Sequence, residues 1–205
     1  MALFDIFRRR VPIRDAAALA DFIEGNAAFV VQKGIYEYSR ARAGHYAKVL
    51  FAEPEFHKAV EQARWRAYPL GLAMVAEVAD SVLHIIEGEK GRLWGLENLN
   101  ALVLSVFDRF PTPAELGTGT WRGLRAELDR RLKLIGMHAP KRAMDITEPY
   151  AKAYFDLMPI HEKLRGRDFP TTHNYLKVTL CNIHDELANR LDRDAFTGSE
   201  NAPAV

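Results

Sequence analysis

Four polar side chains follow one another at helical spacing near the middle of the chain: Glu77, Asp80, Ser81 and His84. A step of about 100° per residue puts all four on one face of a helix. An aspartate four residues before a histidine can accept a hydrogen bond from the imidazole, select its tautomer or share a metal ion with it. The stripe is therefore a candidate for a small-molecule or metal-binding pocket between helices, lined by Glu77, Asp80 and His84.

A second interpretation of this stripe is plainer, because polar residues occupy the same face earlier in the helix. Gln62 and Arg66 lie on the stripe, and the ten residues that separate them from Glu77, Ala67 to Ala76, carry only one polar side-chain group, the Tyr68 hydroxyl. A helix that is apolar on every side is buried on every side. The pattern favours one amphipathic face whose two ends reach water and whose centre is buried.

The sequence predicts no metal site and no catalytic residue, and it identifies no cofactor. No glutamate is followed three residues later by a histidine, as in di-iron helical bundles, and no HExxH segment occurs. None of the serines lies in a GxSxG elbow, and the phosphate-loop and dinucleotide fingerprints are absent as well. The familiar catalytic and nucleotide-binding motifs therefore give no support to an enzymatic function.

Two histidines, His173 and His184, lie on the last predicted helix at the edge of its apolar face. They fall within about 20° of each other around the helix axis. Along the axis they are about 16 Å apart, which is too far for both to bind one small ion. We expect each to form a hydrogen bond at the boundary of the core; in the pocket interpretation, either one would face the Glu77 stripe.

Positive charge is concentrated in the amphipathic helix that begins at Trp121. The basic patch consists of Arg122, Arg125, Arg130, Arg131 and Lys133. Such a face can meet an acidic protein, a nucleic acid or a lipid surface, and it is equally typical of a solvated helix. A formal net charge of +1 and the lack of a nucleic-acid-binding motif argue against nucleic acid. The mostly apolar residues 1–7, which precede Arg8–Arg10, would give only marginal attachment to a membrane surface.

The elements that must position these residues are all predicted to be helices, because no run of alternating β-branched and aromatic residues occurs. Asp15 is placed to cap the first helix, and Pro54 suits the first turn of the second. The apolar positions of the first helix are Leu19, Phe22, Ile23, Phe29, Val30 and Tyr36. The glycines place a break of this helix at Gly25–Asn26 or at Gly44, and a further helical turn or two is expected over His45–Phe51. The other helices are expected at about 54–87, 93–110, 121–135, 147–164 and 171–191.

The predicted fold is an all-α, single-domain bundle of about six helices, some of them kinked at Pro69 and Pro159. A chain of 205 residues with 48% hydrophobic residues can bury one sizeable core without disulfides. The helical domain is expected to span 13–192, with a possible seam at 111–120. A flexible segment at 1–12 and a disordered tail at 193–205 complete the prediction.

The function predicted from these patterns is that of a cytoplasmic, non-enzymatic binding or assembly protein that acts through its helix faces. The cytoplasmic assignment follows from the single cysteine and from the absence of a secretory signal or a transmembrane run. The expected partner is another protein or a second copy of the chain. The alternative is a pocket protein, either a binding protein or an enzyme, with its site between helices at the Glu77 stripe.

Overall fold

A computed structural model of the chain describes residues 11–87, 95–192 and 194–195, and it confirms the all-α fold. The helices pack as a single bundle. Their bounds are α1 Ala16–Ala43, α2 Ala47–Ala52, α3 Pro54–Glu87, α4 Leu96–Asp108, α5 Thr118–Ile135, α6 Ala151–Asp156, α7 Glu162–Arg165 and α8 Phe169–Arg190. Within the described ranges there is no β-strand, only an isolated bridge between Ile13 and Leu191.

The ends of α1 and the start of α3 follow the local signals of the sequence. The Asp15 carboxylate accepts a hydrogen bond from the Ala18 N–H at 2.8 Å, which caps α1. The helix continues through Gly25 and ends at Gly44, whose φ of 55° lies in the region that favours glycine. Pro54 is the first residue of α3. A backbone N–H at this position would have no partner within the helix, so proline loses no helical hydrogen bond there.

Helix α3 is the central element of the bundle. It contacts α1, α2, α4, α5 and α8, and every residue from 67 to 83 is buried. The prediction that its apolar middle is buried on all sides is confirmed. Pro69 lies inside α3, which continues past it although the proline has no N–H to donate to the carbonyl of Trp65.

The prediction of one kinked helix over 147–164 is wrong. This part of the chain forms two short helices, α6 and α7, and Pro159 lies in the connection between them. Proline disfavours helical geometry at the residue before it and lacks a donor of its own, so α6 ends before Pro159 instead of bending there.

Small residues allow three helices to approach one another closely. A Cβ atom at Gly71 of α3 would lie 2.8 Å from the Val31 side chain and 3.0 Å from the carbonyl oxygen of Ala27, both in α1. A Cβ atom at Gly34 of α1 would meet the Tyr154 hydroxyl of α6. Neither site has room for a methyl group, so the glycines determine how near α1 lies to its neighbours.

Stacked and edge-on aromatic rings join α3, α4 and α5. The cluster consists of Trp65, Tyr68, Phe107, Phe110 and Trp121, with ring centroids as close as 4.2 Å between Phe107 and Trp121. The segment 111–120, named above as a possible seam, contains most of the connection after α4 and the first turn of α5, and these two helices contact each other and α3. Of the predicted flexible ends, residues 1–10, 193 and 196–205 lie outside the described residues.

The two ends of the described chain meet. The Ile13 N–H donates to the Arg190 carbonyl at 2.8 Å, and the Asp192 N–H donates to the Ile13 carbonyl at 2.9 Å. Arg14 adds an ion pair with Asp192 at 2.9 Å. No helix among the described residues is long and apolar enough to cross a bilayer.

Candidate functional site

Glu77 is the most deeply buried carboxylate of the predicted stripe, with 1% of its surface exposed. The Tyr150 hydroxyl donates a hydrogen bond to Oε2 at 2.9 Å. Lys141 Nζ lies 2.7 Å from Oε1, and His138 Nε2 lies 3.5 Å from the same oxygen. Both carboxylate oxygens therefore have partners, and the negative charge is offset by a lysine that is itself partly exposed.

The partners of Glu77 come from one stretch of chain that wraps the second half of α3. His138 and Lys141 lie in the connection that follows α5, and Tyr150 immediately precedes α6. The guanidinium carbon of Arg131 lies 5.5 Å from the centre of the Tyr150 ring. Burial, followed by the charge of Glu77, raises the pKa of Tyr150 far above its usual range, so this hydroxyl remains a donor.

This arrangement is suited to holding chain segments together. A carboxylate acts as a general base only where it can reach the proton of a substrate, and Glu77 has almost no exposed surface. Its oxygens already accept from Tyr150 and pair with Lys141. The geometry fits an internal ion pair that ties the 136–150 connection to α3.

The other members of the stripe differ from one another in environment. Asp80 and Ser81 are buried, and the Ser81 hydroxyl donates to the Val78 carbonyl at 2.8 Å. His84 is exposed. The expectation that this end of the stripe reaches water is therefore wrong for Glu77, Asp80 and Ser81, which are all buried. At Glu77 the covering residues include His138 and Lys141 of the connection after α5. The expectation is right for His84 alone.

The two histidines of α8 occupy the boundary positions expected of them. His173 Nε2 lies 3.0 Å from the hydroxyl oxygen of Thr147 and 3.3 Å from Oε1 of Glu148. His184 lies beside Asp185, with Nδ1 at 3.5 Å from the carboxylate. Among the described residues, no hydrogen bond or ion pair joins either histidine to Glu77.

The His173 contacts look at first like a nucleophile–base–acid set, but their geometry differs. In such a set the histidine uses one ring nitrogen for the nucleophile and the other for the acid. Here Thr147 and Glu148 both approach Nε2, and the Thr147 side chain is fully buried. In the part of the chain that the structure describes, no three His, Cys, Asp or Glu side chains come together as a possible metal site.

The basic patch on α5 is largely neutralised by carboxylates. Arg125 makes two hydrogen bonds of 2.7 Å to Asp108, and Arg130 makes two to Glu127 at 2.7 and 2.8 Å. Arg131 also pairs with Glu127, at 2.7 Å, and Lys133 pairs with Asp129 at 2.6 Å. Arg122 is the one member of the patch without an ion pair to a described residue. The positive charge available to a partner is smaller than the sequence indicates.

Two half-exposed aromatic rings lie on one face of α1. Phe29 and Tyr36 are 46% and 45% exposed, although both are apolar positions of the predicted helix. Lys33 lies between them, with Nζ 4.9 Å from the centre of the Phe29 ring, and Tyr36 contacts Phe51 at a ring-centroid distance of 4.9 Å. The outer face of α1 is formed by Phe29, Gln32, Lys33, Tyr36 and Glu37, all exposed.

Two grooves flank this outer face. One, of about 360 Å³, is bounded by the outer face itself and by Arg64 of α3. The other, of about 550 Å³, separates α1 from α8 and includes the half-exposed Val178. Phe29 and Lys33 line both grooves, so these two residues form a ridge between two depressions, a shape that a complementary protein surface can enclose.

Sequence reasoning missed the outer face of α1, although an angular count contains the signal. At about 100° per residue, Phe29 and Tyr36 lie about 120° and 140° away from Ile23, which is fully buried. The partners of Glu77 left no comparable signal, because they are distant in sequence.

Comparison with known proteins adds no family to this description. No protein-family model matches the chain, and no significant match was found among curated proteins or among solved structures. The class that the structure defines is an all-α bundle whose central helix is buried from residue 67 to residue 83.

Proposed function

We propose that this chain is a non-enzymatic binding or assembly protein that associates with a second copy of itself through the outer face of α1. The observation that carries the proposal is the pair of half-exposed aromatic rings, Phe29 and Tyr36, on one helix face between two grooves. Tyrosine and phenylalanine are enriched in the buried centres of protein interfaces. An exposed pair on one stripe is therefore a suitable centre for a contact.

A second copy fits this face because the two aromatic residues are interchangeable under a twofold axis. They are seven residues apart, which is about 10.5 Å along the helix. If two α1 helices pack antiparallel around a point between Gln32 and Lys33, Phe29 of each copy faces Tyr36 of the other. The same aromatic contact is then made twice, as an isologous interface requires.

The charges of the face support the same partner. Lys33 and Glu37 contribute one charge of each sign, and the neighbouring Arg64 is already paired with Glu61 at 2.6 Å. The formal net charge of the chain is +1. The face therefore brings no net charge to the contact, and the two Lys33 side chains, which lie next to the twofold axis, must extend their ammonium groups into water.

The test is the solution mass of the full chain and of Phe29→Glu, measured by light scattering across a concentration series. The wild-type chain should approach twice its 23.2 kDa mass as concentration rises. Phe29→Glu should remain monomeric because it buries an unpaired carboxylate at the centre of the contact.

The matched control is Leu134→Glu on α5, where the leucine is 43% exposed and lies outside the outer face of α1. This variant should associate like the wild type. Circular dichroism must show that both variants keep the helical content of the wild type. A wild-type chain that is monomeric at every concentration, or a Phe29→Glu variant that associates as strongly as the wild type, would refute the proposal.

A further inference from the structure

A separate groove of about 430 Å³ lies between α3, α5 and α6. Its walls are mainly aliphatic: Pro69 and Leu70 come from α3, Leu124 from α5, Ala153 from α6, and Leu157 directly follows α6. None of its lining residues belongs to α1. The volume falls within the range of small-molecule sites, and an aliphatic lining with few polar groups is typical of them.

Two arginines line this aliphatic groove. Arg66 is exposed and forms no ion pair with any residue that the structure describes. Arg131 is held on two sides, since Nε lies 2.7 Å from Glu127 and the guanidinium lies over the Tyr150 ring. A guanidinium has five N–H donors, so the contact at Nε leaves the terminal nitrogens of Arg131 able to donate.

The acidic residue in the lining does not cancel these charges. Glu127 accepts two hydrogen bonds from Arg130, which is outside the lining, and also pairs with Arg131. The Arg130 hydrogen bonds hold the pKa of Glu127 below its usual range. The Glu127 carboxylate therefore stays ionised and remains bound to the two arginines. Arg66 remains the cation of the groove that has no ion-pair partner among the described residues, and its position at the groove favours an anion.

We propose that this groove binds an aliphatic monocarboxylate, with the hydrocarbon chain against Leu70, Leu124 and Leu157 and the carboxylate at Arg66. The apolar walls would take methylene groups out of water, and the guanidinium can hold a carboxylate through two parallel hydrogen bonds. The inference is independent of self-association through α1, because the two surfaces share no residue.

The experiment is calorimetric titration of the full chain with sodium hexanoate, octanoate and decanoate below micelle formation. Affinity should rise by up to roughly fourfold for each added methylene until the groove is full. Arg66→Gln should weaken decanoate binding about tenfold or more, the effect of losing hydrogen bonds to a charged group. Decanol, which has the chain without the charge, should bind the wild type weakly.

The matched control is Arg122→Gln, because Arg122 is also exposed and without an ion pair to a described residue but lies outside the groove. It should bind decanoate like the wild type. Ala153→Leu, which fills the groove without changing its charge, should reduce binding of the long chains. The proposal fails if no saturable binding occurs, if affinity does not depend on chain length, or if Arg66→Gln behaves like Arg122→Gln.

Discussion

Glu77 illustrates how a single buried charge is accommodated in this protein. Removing a carboxylate from water costs several kcal/mol unless cations and hydrogen-bond donors offset the loss. Here Lys141 supplies the cation and Tyr150 the donor, and both belong to the stretch between α5 and α6. The charge thus selects one position for that stretch against α3.

Replacing Glu77 by glutamine keeps the shape of the side chain and removes its charge. The amide oxygen can still accept from Tyr150, but the ion pair with Lys141 is lost. We expect Glu77→Gln to lower the free energy of unfolding by about 2 kcal/mol, less than for a fully buried pair because Lys141 can reach water. Urea denaturation near neutral pH measures the loss.

Glu148→Gln provides the same substitution at a surface ion pair. Glu148 is 61% exposed and pairs with His173 and Lys177. Its replacement should change stability by less than about 0.5 kcal/mol. Equal effects of the two substitutions would show that the Glu77 pair contributes no more than a surface contact.

At the residue scale, the sequence predicted the stripe but not its surroundings. The angular positions of Glu77 and His84 follow from a regular helix and are local properties. Tyr150, whose hydroxyl donates a hydrogen bond to Oε2 of Glu77, is 73 residues away along the chain. Such a partner is determined by how the helices pack, which a single sequence does not display.

At the element scale, the contact of α1 with α6 and α8 depends on Gly34. The Tyr154 hydroxyl donates to the Val30 carbonyl at 3.0 Å, and the Tyr175 hydroxyl reaches the same carbonyl at 3.2 Å. A Cβ atom at Gly34 would collide with both tyrosines. The missing side chain lets two hydroxyls hydrogen-bond to the backbone of α1.

Gly34→Ala should therefore destabilise the bundle by about 2 kcal/mol, although alanine favours a helix. Gly25→Ala, in the same helix but with open space around it, should instead stabilise by up to about 1 kcal/mol. Thermal unfolding followed by circular dichroism distinguishes the two signs.

The collision with Tyr154 can be tested separately in a double-mutant cycle. Tyr154→Phe removes the hydroxyl nearest to the new methyl group, so Gly34→Ala should cost less in that background than in the wild type. If Gly34→Ala and Gly25→Ala both stabilise the protein, the close approach described for α1 is incorrect.

Helix starts were predicted where a side chain acts on its own backbone, as at Asp15 and Pro54. Gly44 was one of the two breaks considered for the first helix. Proline within a helical pattern was ambiguous. Pro69 lies inside a continuous helix, whereas Pro159 separates two short ones. Pro69 lies in the buried stretch of a long helix that packs against α1, α4, α5 and α8, whereas α6 and α7 have only six and four residues.

At the scale of the whole molecule, five of the seven tyrosines have raised pKa values. Burial raises the pKa of Tyr38 and of Tyr175 to about 12, and the hydrogen bond to Asp168 adds to the effect at Tyr38. The bundle therefore keeps most of its phenols protonated at a pH where an unfolded chain would ionise them.

This difference makes stability fall at alkaline pH. Below about pH 10 the phenols are protonated in both states, and their stabilising contribution is complete. As pH rises through about 10 to 12, the unfolded chain binds fewer protons than the folded one, so the free energy of unfolding decreases. Phenolate absorbance and urea denaturation should report ionisation and loss of stability together.

Tyr38→Phe should reduce the slope of stability against pH over this range, because one raised pKa is removed. If all the tyrosines ionise near pH 10 while the helices remain intact, the burial described here does not hold in solution.

The fold class was predictable at this scale because apolar residues recur at helical spacing along the chain. The choice of α3 as the enclosed helix was also visible, in its uncharged middle section. The neighbours of α3 were not visible, since several amphipathic helices could cover it equally well. The outer face of α1 could not be predicted from the sequence for the same reason, because its exposure depends on which helices lie beside it.

The bridge between Ile13 and Leu191 has a mechanical consequence. It joins positions near the two ends of the described chain through two backbone hydrogen bonds and the Arg14–Asp192 ion pair. Tension applied at residues 11 and 192 would act on these few bonds before it reached any buried helix. Because Ile13 and Leu191 also belong to the buried core, opening this contact would expose apolar surface of the bundle to water.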